Sequence, residues 1–385
     1  MNNSISFTPD TINTWADDVD GPVALHLKQK LLAVGEDNII FPPTYADIGY
    51  NIDTLSDGTK VALIDSVGSQ ANRMEPIFKS EPYSELVPQI EIELHTKEND
   101  GEKHIEKRSL LDLAHRSADA VVYSCPELVP SMEKAFRELR QSGDAAPLCL
   151  LAPTSLVFGF WDSRGASGEK HPRLVRSTIR AWNVEPLHAA AQFNSVWKAL
   201  DDDQKDSLEK EAKAKKTKLS EKGFADAPAT FRKTKVAQYV DSSPNLEARV
   251  LGGVLTSGPI ERNITVNLVA LRALNGANDE ETKSVRRYLL ALTLIAATAE
   301  IDLFLREGCH LRYADDDVWG AIPRRGAIEP IDLSSDSAQK SLLDYAKEAT
   351  EPFRKQWPTE LIYKFNLNKA KKLLAKKSED EESPA

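Results

Sequence analysis

The chain has too few of several residue types to support the commoner catalytic and structural devices. Of its 385 residues only three are cysteines, Cys125, Cys149 and Cys309. Their spacing fits no zinc motif, and an odd number makes no disulfide framework. A reducing, cytoplasmic setting is the expectation. Cys149 lies in the apolar run 148–152 and reads as a core residue rather than a nucleophile. The seven histidines, at 26, 95, 104, 115, 171, 188 and 310, show no metal-ligand spacing. No P-loop, HExxH, GxSxG or Rossmann glycine fingerprint occurs. The longest apolar run, 288–299, is too short to cross a bilayer. The first 20 residues hold Asp10, Asp17, Asp18 and Asp20 but no Lys or Arg, so no signal peptide is read there. These absences predict no cofactor, no metal and no membrane partner, and leave no convincing enzyme.

What is present is an ordinary soluble composition, 41% apolar and 28% charged, in a length that suits two or three domains or one domain with large insertions. The net charge is −10, which on its own argues against nucleic acid. The charge is uneven, however. Residues 161–180 hold five basic side chains (Arg164, Lys170, Arg173, Arg176, Arg180) and two acidic ones, and 364–377 hold six lysines and no acid. Screening limits distant charges to about 8–10 Å, so a local basic track on an acidic protein can still take phosphate.

The stretch 61–75 organises the reading. Val61 to Ile64 is β-prone, and Asp65 reads as the N-cap of a helix over 66–75. Val67, Ala71, Met74 and Phe78 form an apolar stripe, while Ser66, Ser69, Gln70 and Arg73 form a polar one. Pro76 ends the helix. A helix N-terminus favours an anion. A capped helix with a solvated face explains the same residues, and this stretch alone leaves both readings open.

Elsewhere, residues 1–20 read as loosely ordered and 23–34 as a helix. Further helices are predicted over 109–119, 130–141 (stopped by Gly143), 280–299 and 337–377, with a solvated, charge-rich helix at 201–222. Strands are predicted over 156–161, 174–182 and 309–313, and a hairpin over 250–258 and 260–268; 314–333 reads as loop. The stronger elements run strand, helix, strand, strand, helix, strand, a βαββαβ order interrupted by insertions near 80–150 and 184–281. The fold class is therefore α+β, a modified ferredoxin-like fold with two insertions and a helical C-terminal extension.

Three features suit phosphate: the polar helix face, Thr154-Ser155, and the basic loop and strand from Trp161 to Arg180, where Gly165 and Gly168 have the spacing of a KH loop. Leu174, Arg176, Thr178 and Arg180 share one strand face. A surface hairpin with ion pairs is the plainer alternative. His171 has no evident acid or base partner, so contact with phosphate or solvent comes before a general-base role. Asp65 and Asp162 lack the company of other carboxylates that a metal site needs.

Several longer motifs occur together. They are Ile64-Asp-Ser-Val-Gly-Ser-Gln-Ala-Asn-Arg-Met-Glu75, Pro153-Thr-Ser-Leu-Val-Phe-Gly-Phe-Trp-Asp-Ser-Arg164, Pro172-Arg-Leu-Val-Arg-Ser-Thr-Ile-Arg-Ala181 and Arg286-Arg-Tyr-Leu-Leu290, with Phe41-Pro-Pro-Thr-Tyr45 and the Gly308-Cys segment. Over residues 40–315 this resembles the CRISPR-associated backbone subunit of type I-G (formerly I-U) Cascade. The resemblance implies a RAMP protein with an RRM-like palm split into 61–79, 151–183 and 282–315. The insertion 80–150 would be finger-like, and 184–281, containing Lys-rich 201–222, thumb-like; 1–60 and 316–385 flank the palm. Copies would polymerise along guide RNA (crRNA) among other Cascade subunits, gripping its backbone and offering its bases to target DNA. Ser66, Ser69, Gln70, Asn72, Arg73, Thr154, Ser155, Arg164, Lys170, His171, Arg173, Arg176 and Arg180 are the implied RNA contacts. Related type III subunits cleave target RNA with an Asp, but no equivalent is identified here. A repeat-processing ribonuclease and a protein-docking subunit are the competing readings.

Overall fold

The computed structural model describes residues 7–45, 48–97, 103–162, 170–189, 200–214 and 250–373. Its centre is an antiparallel sheet. In chain order its strands are β1 (Ala24–Ala33), β2 (Ile52–Thr54), β3 (Lys60–Asp65), β4 (Val175–Trp182), β5 (Ile260–Asn267), β6 (Phe304–Arg306), β7 (Cys309–Ile322) and β8 (Glu329–Ile331). They lie in the order β6-β7-β1-β5-β4-β3-β2, with β8 added on β7. Helix α4 (Asp279–Thr298) connects β5 to β6 and β7 on one face of the sheet.

β1 replaces the helix expected over 23–34. Leu25, Leu27, Gln29 and Leu31 are buried while Lys28 and Lys30 are exposed, a period of two rather than 3.6. Its backbone is satisfied on both sides, pairing Leu25 with Val266 of β5 and with Ala321 of β7. The leucines suit either period, and pairing with two long strands decides for the strand. β7 likewise runs on to Ile322, so much of the expected loop 314–333 is sheet.

β4 and β5 form a long hairpin, with Val175 opposite Val266 and Ala181 opposite Ile260. The same two chains continue beyond the sheet as Val184–Ala189 paired with Val250–Thr256, to which Ile39–Ile40 adds a third strand. The expected pairing of 250–258 with 260–268 is therefore replaced: these are successive lengths of one arm of a bent hairpin. The bend lies at Asn183, with φ +51°, and at Gly258, where a Cβ would stand 2.6 Å from the Trp182 carbonyl oxygen. Only glycine fits there.

The helical face carries α4 packed against α1 (Pro9–Asp17), α3 (Pro153–Phe158) and α5 (Asp336–Arg354). α4 is apolar almost all round because it is covered by sheet and helices; its residues from Tyr288 to Ala297 are buried. The Asn278 side chain caps it by accepting from Glu281 N–H, and Asp279, Glu280 and Glu281 complement the dipole at its start. α1 corrects the expectation of a loose N-terminus: Ile12, Trp15 and Ala16 are buried, and Arg287 of α4 grips Asp17 at 2.6 Å.

Two more expectations change. Residues 156–161 are not one strand. α3 takes 153–158, opened by a proline within its first turn, and only Phe160–Trp161 is extended, beyond Gly159 at φ +74°. The place given to 156–161 in the βαββαβ order is thus not the one observed. Residues 109–119 form two 3-10 turns rather than a helix. The helix over 130–141 is present as Val129–Ser142, ended by Gly143 in the left-handed region. The C-terminal helix is interrupted after Arg354: Ile362–Lys364 runs parallel to Glu91–Lys97, which pairs with Lys103–Ser109, and residues 367–373 are helical again. The solvated helix is present at Asp202–Ala214, and 215–222 lie outside the described residues.

Candidate nucleic-acid interface

β3 feeds directly into α2 (Val67–Met74), and the true cap is Ser66, whose Oγ accepts from Ser69 N–H at 3.3 Å. Asp65 is instead the buried centre of a polar clasp. It accepts from Gln70 Nε2 at 2.7 Å, Arg73 Nε at 3.1 Å and Arg306 Nη2 at 3.4 Å. Arg73 Nη2 also donates to the Leu305 carbonyl at 2.6 Å, and Arg306 Nη2 to that of Ile64 at 2.9 Å. Gln70 Oε1 accepts from Ser177 Oγ at 2.8 Å and Arg262 Nε at 3.1 Å. Arg262 reaches on to Gln29 at 3.3 Å.

The polar stripe of α2 therefore turns partly inward. Gln70 is fully buried and offers no open RNA contact, while Arg73 is half-buried and engaged in ties between α2, β3 and β6. A carboxylate buried at the end of β3 needs donors, and the helix supplies them. Thr154 and Ser155 are also enclosed: Ser155 Oγ accepts from Ser117 N–H at 3.3 Å, and Thr154 lies against buried Glu75. Ser66 and Ser69 are half-buried at the start of the helix, and Asn72 Oδ1 accepts from Arg116 Nη2 at 3.3 Å.

A cleft of about 440 Å³ opens where the first turn of α2 faces the sheet, lined by Ala24, Val67, Arg173, Arg176, Thr265 and Asn267. The first-turn N–H groups of Val67 and Gly68 precede any intrahelical acceptor. Space around Gly68 is open, with nothing within 4 Å of where a Cβ would sit. Burial lowers the pKa of Arg173, and the neighbouring charges of Arg116 and Arg176 lower it further. Among the described residues, the lining of the cleft thus concentrates positive charge and includes no carboxylate. A larger cleft of about 830 Å³ between Arg73 and the 300–313 segment contains Glu300 and Asp302, which disfavour phosphate.

The strand register extends this surface along the sheet. Arg176 lies opposite Thr265, which lies opposite His26; the next rows bring Thr178, Asn263 and Lys28, then Arg180, Glu261 and Lys30. Lys28 Nζ pairs with Glu261 at 2.7 Å, and Arg180 Nη1 donates to Thr178 Oγ1 at 3.1 Å. The alternation predicted for 174–182 therefore brings Arg176 and Arg180 onto one face. His26, Lys28, Lys30, Thr265 and Asn267 escaped the sequence reading. The alternating Leu-Lys pattern of 27–31 was the signal for the first three, hidden by the helical interpretation.

Lys170 and His171 form a short ladder with Phe160–Trp161. His171 stacks on Phe160 (5.7 Å, 9° between planes), which stacks on Phe136 at 4.8 Å. Burial pushes its pKa down to about 4, so it carries no charge toward phosphate near neutral pH. Arg164 and the Gly165–Gly168 loop lie outside the described residues. Unfolded, His171 regains its ordinary value of 6.5, so between pH 6.5 and about 4 only the unfolded state binds this proton. Stability is expected to fall as pH drops through that window. Unfolding titrations of wild type and His171→Phe, which keeps the stack but cannot titrate, should diverge by about 2–3 kcal/mol between pH 7 and 4. Parallel curves would rule this out.

Among the described residues no group of three or more His, Cys, Asp or Glu is placed to hold a metal ion, and no helix is long and apolar enough to cross a membrane. All three cysteines are buried as free thiols, and burial pushes the pKa of each upward.

Comparison with known proteins shows that residues 25–186 match the model of a family described as CRISPR-associated protein GSU0053. That segment runs from β1 through β4 and contains Arg173 and Arg176. No curated protein matches the chain. Among solved structures, a chain of a "CRISPR RNA-guided surveillance complex, pre-nicking" aligns over 92% of this chain and 99% of its own, at 11% identity and a TM-score of 0.30.

Proposed function

We propose that this protein is a non-catalytic scaffold that binds guide RNA in a CRISPR ribonucleoprotein, as the backbone subunit of a type I-G, RAMP-class Cascade. The observation that carries the reading is the cleft in which Arg173 and Arg176 face the open first turn of α2, with no carboxylate among its described lining residues. Two guanidiniums, free backbone N–H groups and neighbouring Thr265 suit a sugar-phosphate chain of any sequence. The CRISPR-associated family match over 25–186 supports the biological setting. β4, β5, β1 and β7 lie side by side with α4 joining β5 to β7, the order of a split βαβ palm. In this reading the 91–109 hairpin is the finger and the arm beyond β4 and β5 the thumb. Lys28, Lys30, Lys170 and Arg180 extend the track. Copies follow one another along the guide in the cytoplasm, other subunits complete the complex, and target DNA is read by pairing with the exposed bases.

The test is Arg173→Ala/Arg176→Ala against single-stranded guides of unrelated sequence. Affinity should fall at least tenfold and equally for all of them. The slope of log affinity against log salt should flatten by about 1.4, roughly 0.7 for each phosphate that is no longer neutralised. Weakening confined to one sequence, or an unchanged slope, would contradict the reading. Wild type should also purify with small RNA of uniform length.

A further inference from the structure

Trp161 has no role in the phosphate cleft, yet it is 53% exposed. Its orientation is enforced. Phe160, its neighbour, is held inward between Phe136 and His171, so strand alternation turns Trp161 outward. Opposite it on the ladder, Lys170 sets its ammonium 4.8 Å from the indole centroid. Arg173 packs against Gly159, its Cγ 2.7 Å from where a Cβ would be. Gly159 is two residues from Trp161, about 7 Å along an extended chain. The indole thus lies two residues along the chain from the Gly159 against which Arg173 packs, and the ammonium of Lys170 on it favours a polyanion over an apolar protein surface.

We propose that Trp161 is a stacking platform for one nucleobase of a single strand whose phosphates lie on Arg173 and Arg176, with Lys170 meeting the adjoining phosphate. This rests on the RNA-binding reading above and adds a base contact to it. Every base has a π-face, so the platform serves any guide sequence; Lys170 lies over one face of the indole, the base takes the other, and the ammonium holds the neighbouring backbone.

The experiment compares a 15-nucleotide oligouridine RNA with an abasic RNA of the same length and charge, measured by fluorescence anisotropy. Trp161→Ala should weaken oligouridine binding about tenfold and leave abasic binding unchanged, and Trp161→Phe should recover most of the affinity. Arg173→Ala should weaken both ligands alike. Equal effects of Trp161→Ala on the two ligands, or none on oligouridine, would overturn the platform while leaving the phosphate cleft standing. If wild type binds neither ligand, both readings fall.

Discussion

Asp65→Ala is expected to lower the unfolding free energy by about 3–5 kcal/mol, the range for removing one partner of a buried, hydrogen-bonded charge set. The carboxylate is 1% exposed and is the acceptor shared by Gln70, Arg73 and Arg306. Without it two guanidiniums lose their counter-charge, and Arg262 stands one side chain away, across Gln70. Asp65→Asn keeps an acceptor but not the charge, and should cost about half as much. Urea midpoints would measure both. Values for Asp65→Ala within about 1 kcal/mol of wild type would show that the clasp contributes little.

The second large effect concerns a pair that sequence reading missed. Arg116 Nε stands 2.7 Å from Glu75 Oε2, with both side chains at most 5% exposed. Burial raises the pKa of Glu75, and the Arg116 charge opposes that rise. Arg116 also donates to the Gly159 carbonyl at 3.2 Å and lies 5.3 Å from the Phe158 ring centroid. Arg116→Ala should cost about 3–5 kcal/mol by leaving Glu75 buried and unpaired. The double variant Arg116→Met/Glu75→Leu should recover most of that, since two apolar side chains of similar size leave no charge without a partner. A double variant no more stable than Arg116→Ala would mean that the Gly159 and Asn72 contacts, not the ion pair, carry the stability.

Parts of this architecture were legible because local pattern and tertiary demand agree. α4 announced itself through length and apolar residues on nearly every face. β4 did so through the alternation of Arg176, Thr178 and Arg180 with Ser177 and Ile179, and the 129–142 helix through its glycine stop. Where local signals are ambiguous, tertiary pairing decided. The leucines of β1 satisfy two periods, and the β-prone run Leu-Val-Phe was drawn into α3 by the proline before it. The candidate site divided in the same way. Periodicity showed that Ser66, Ser69, Gln70 and Arg73 share a face, but not that a buried Asp65 would draw that face inward. The ion pair of Glu75 and Arg116 joins residues 41 apart in sequence, which no local rule connects.

The bend at Asn183 and Gly258 has a consequence for how this chain tolerates change. Because β4 and β5 pair along their whole length before the arm begins, residues 183–259 are, for the sheet, one connection whose ends that pairing holds together. The entropy of closing a loop grows only logarithmically with its length, so doubling that segment would cost about 0.6 kcal/mol. The strands bearing Arg176 and Thr265 would keep their register throughout. The arm is thus free to vary in length and sequence while the charged cleft, at the opposite end of β4 and β5, stays fixed.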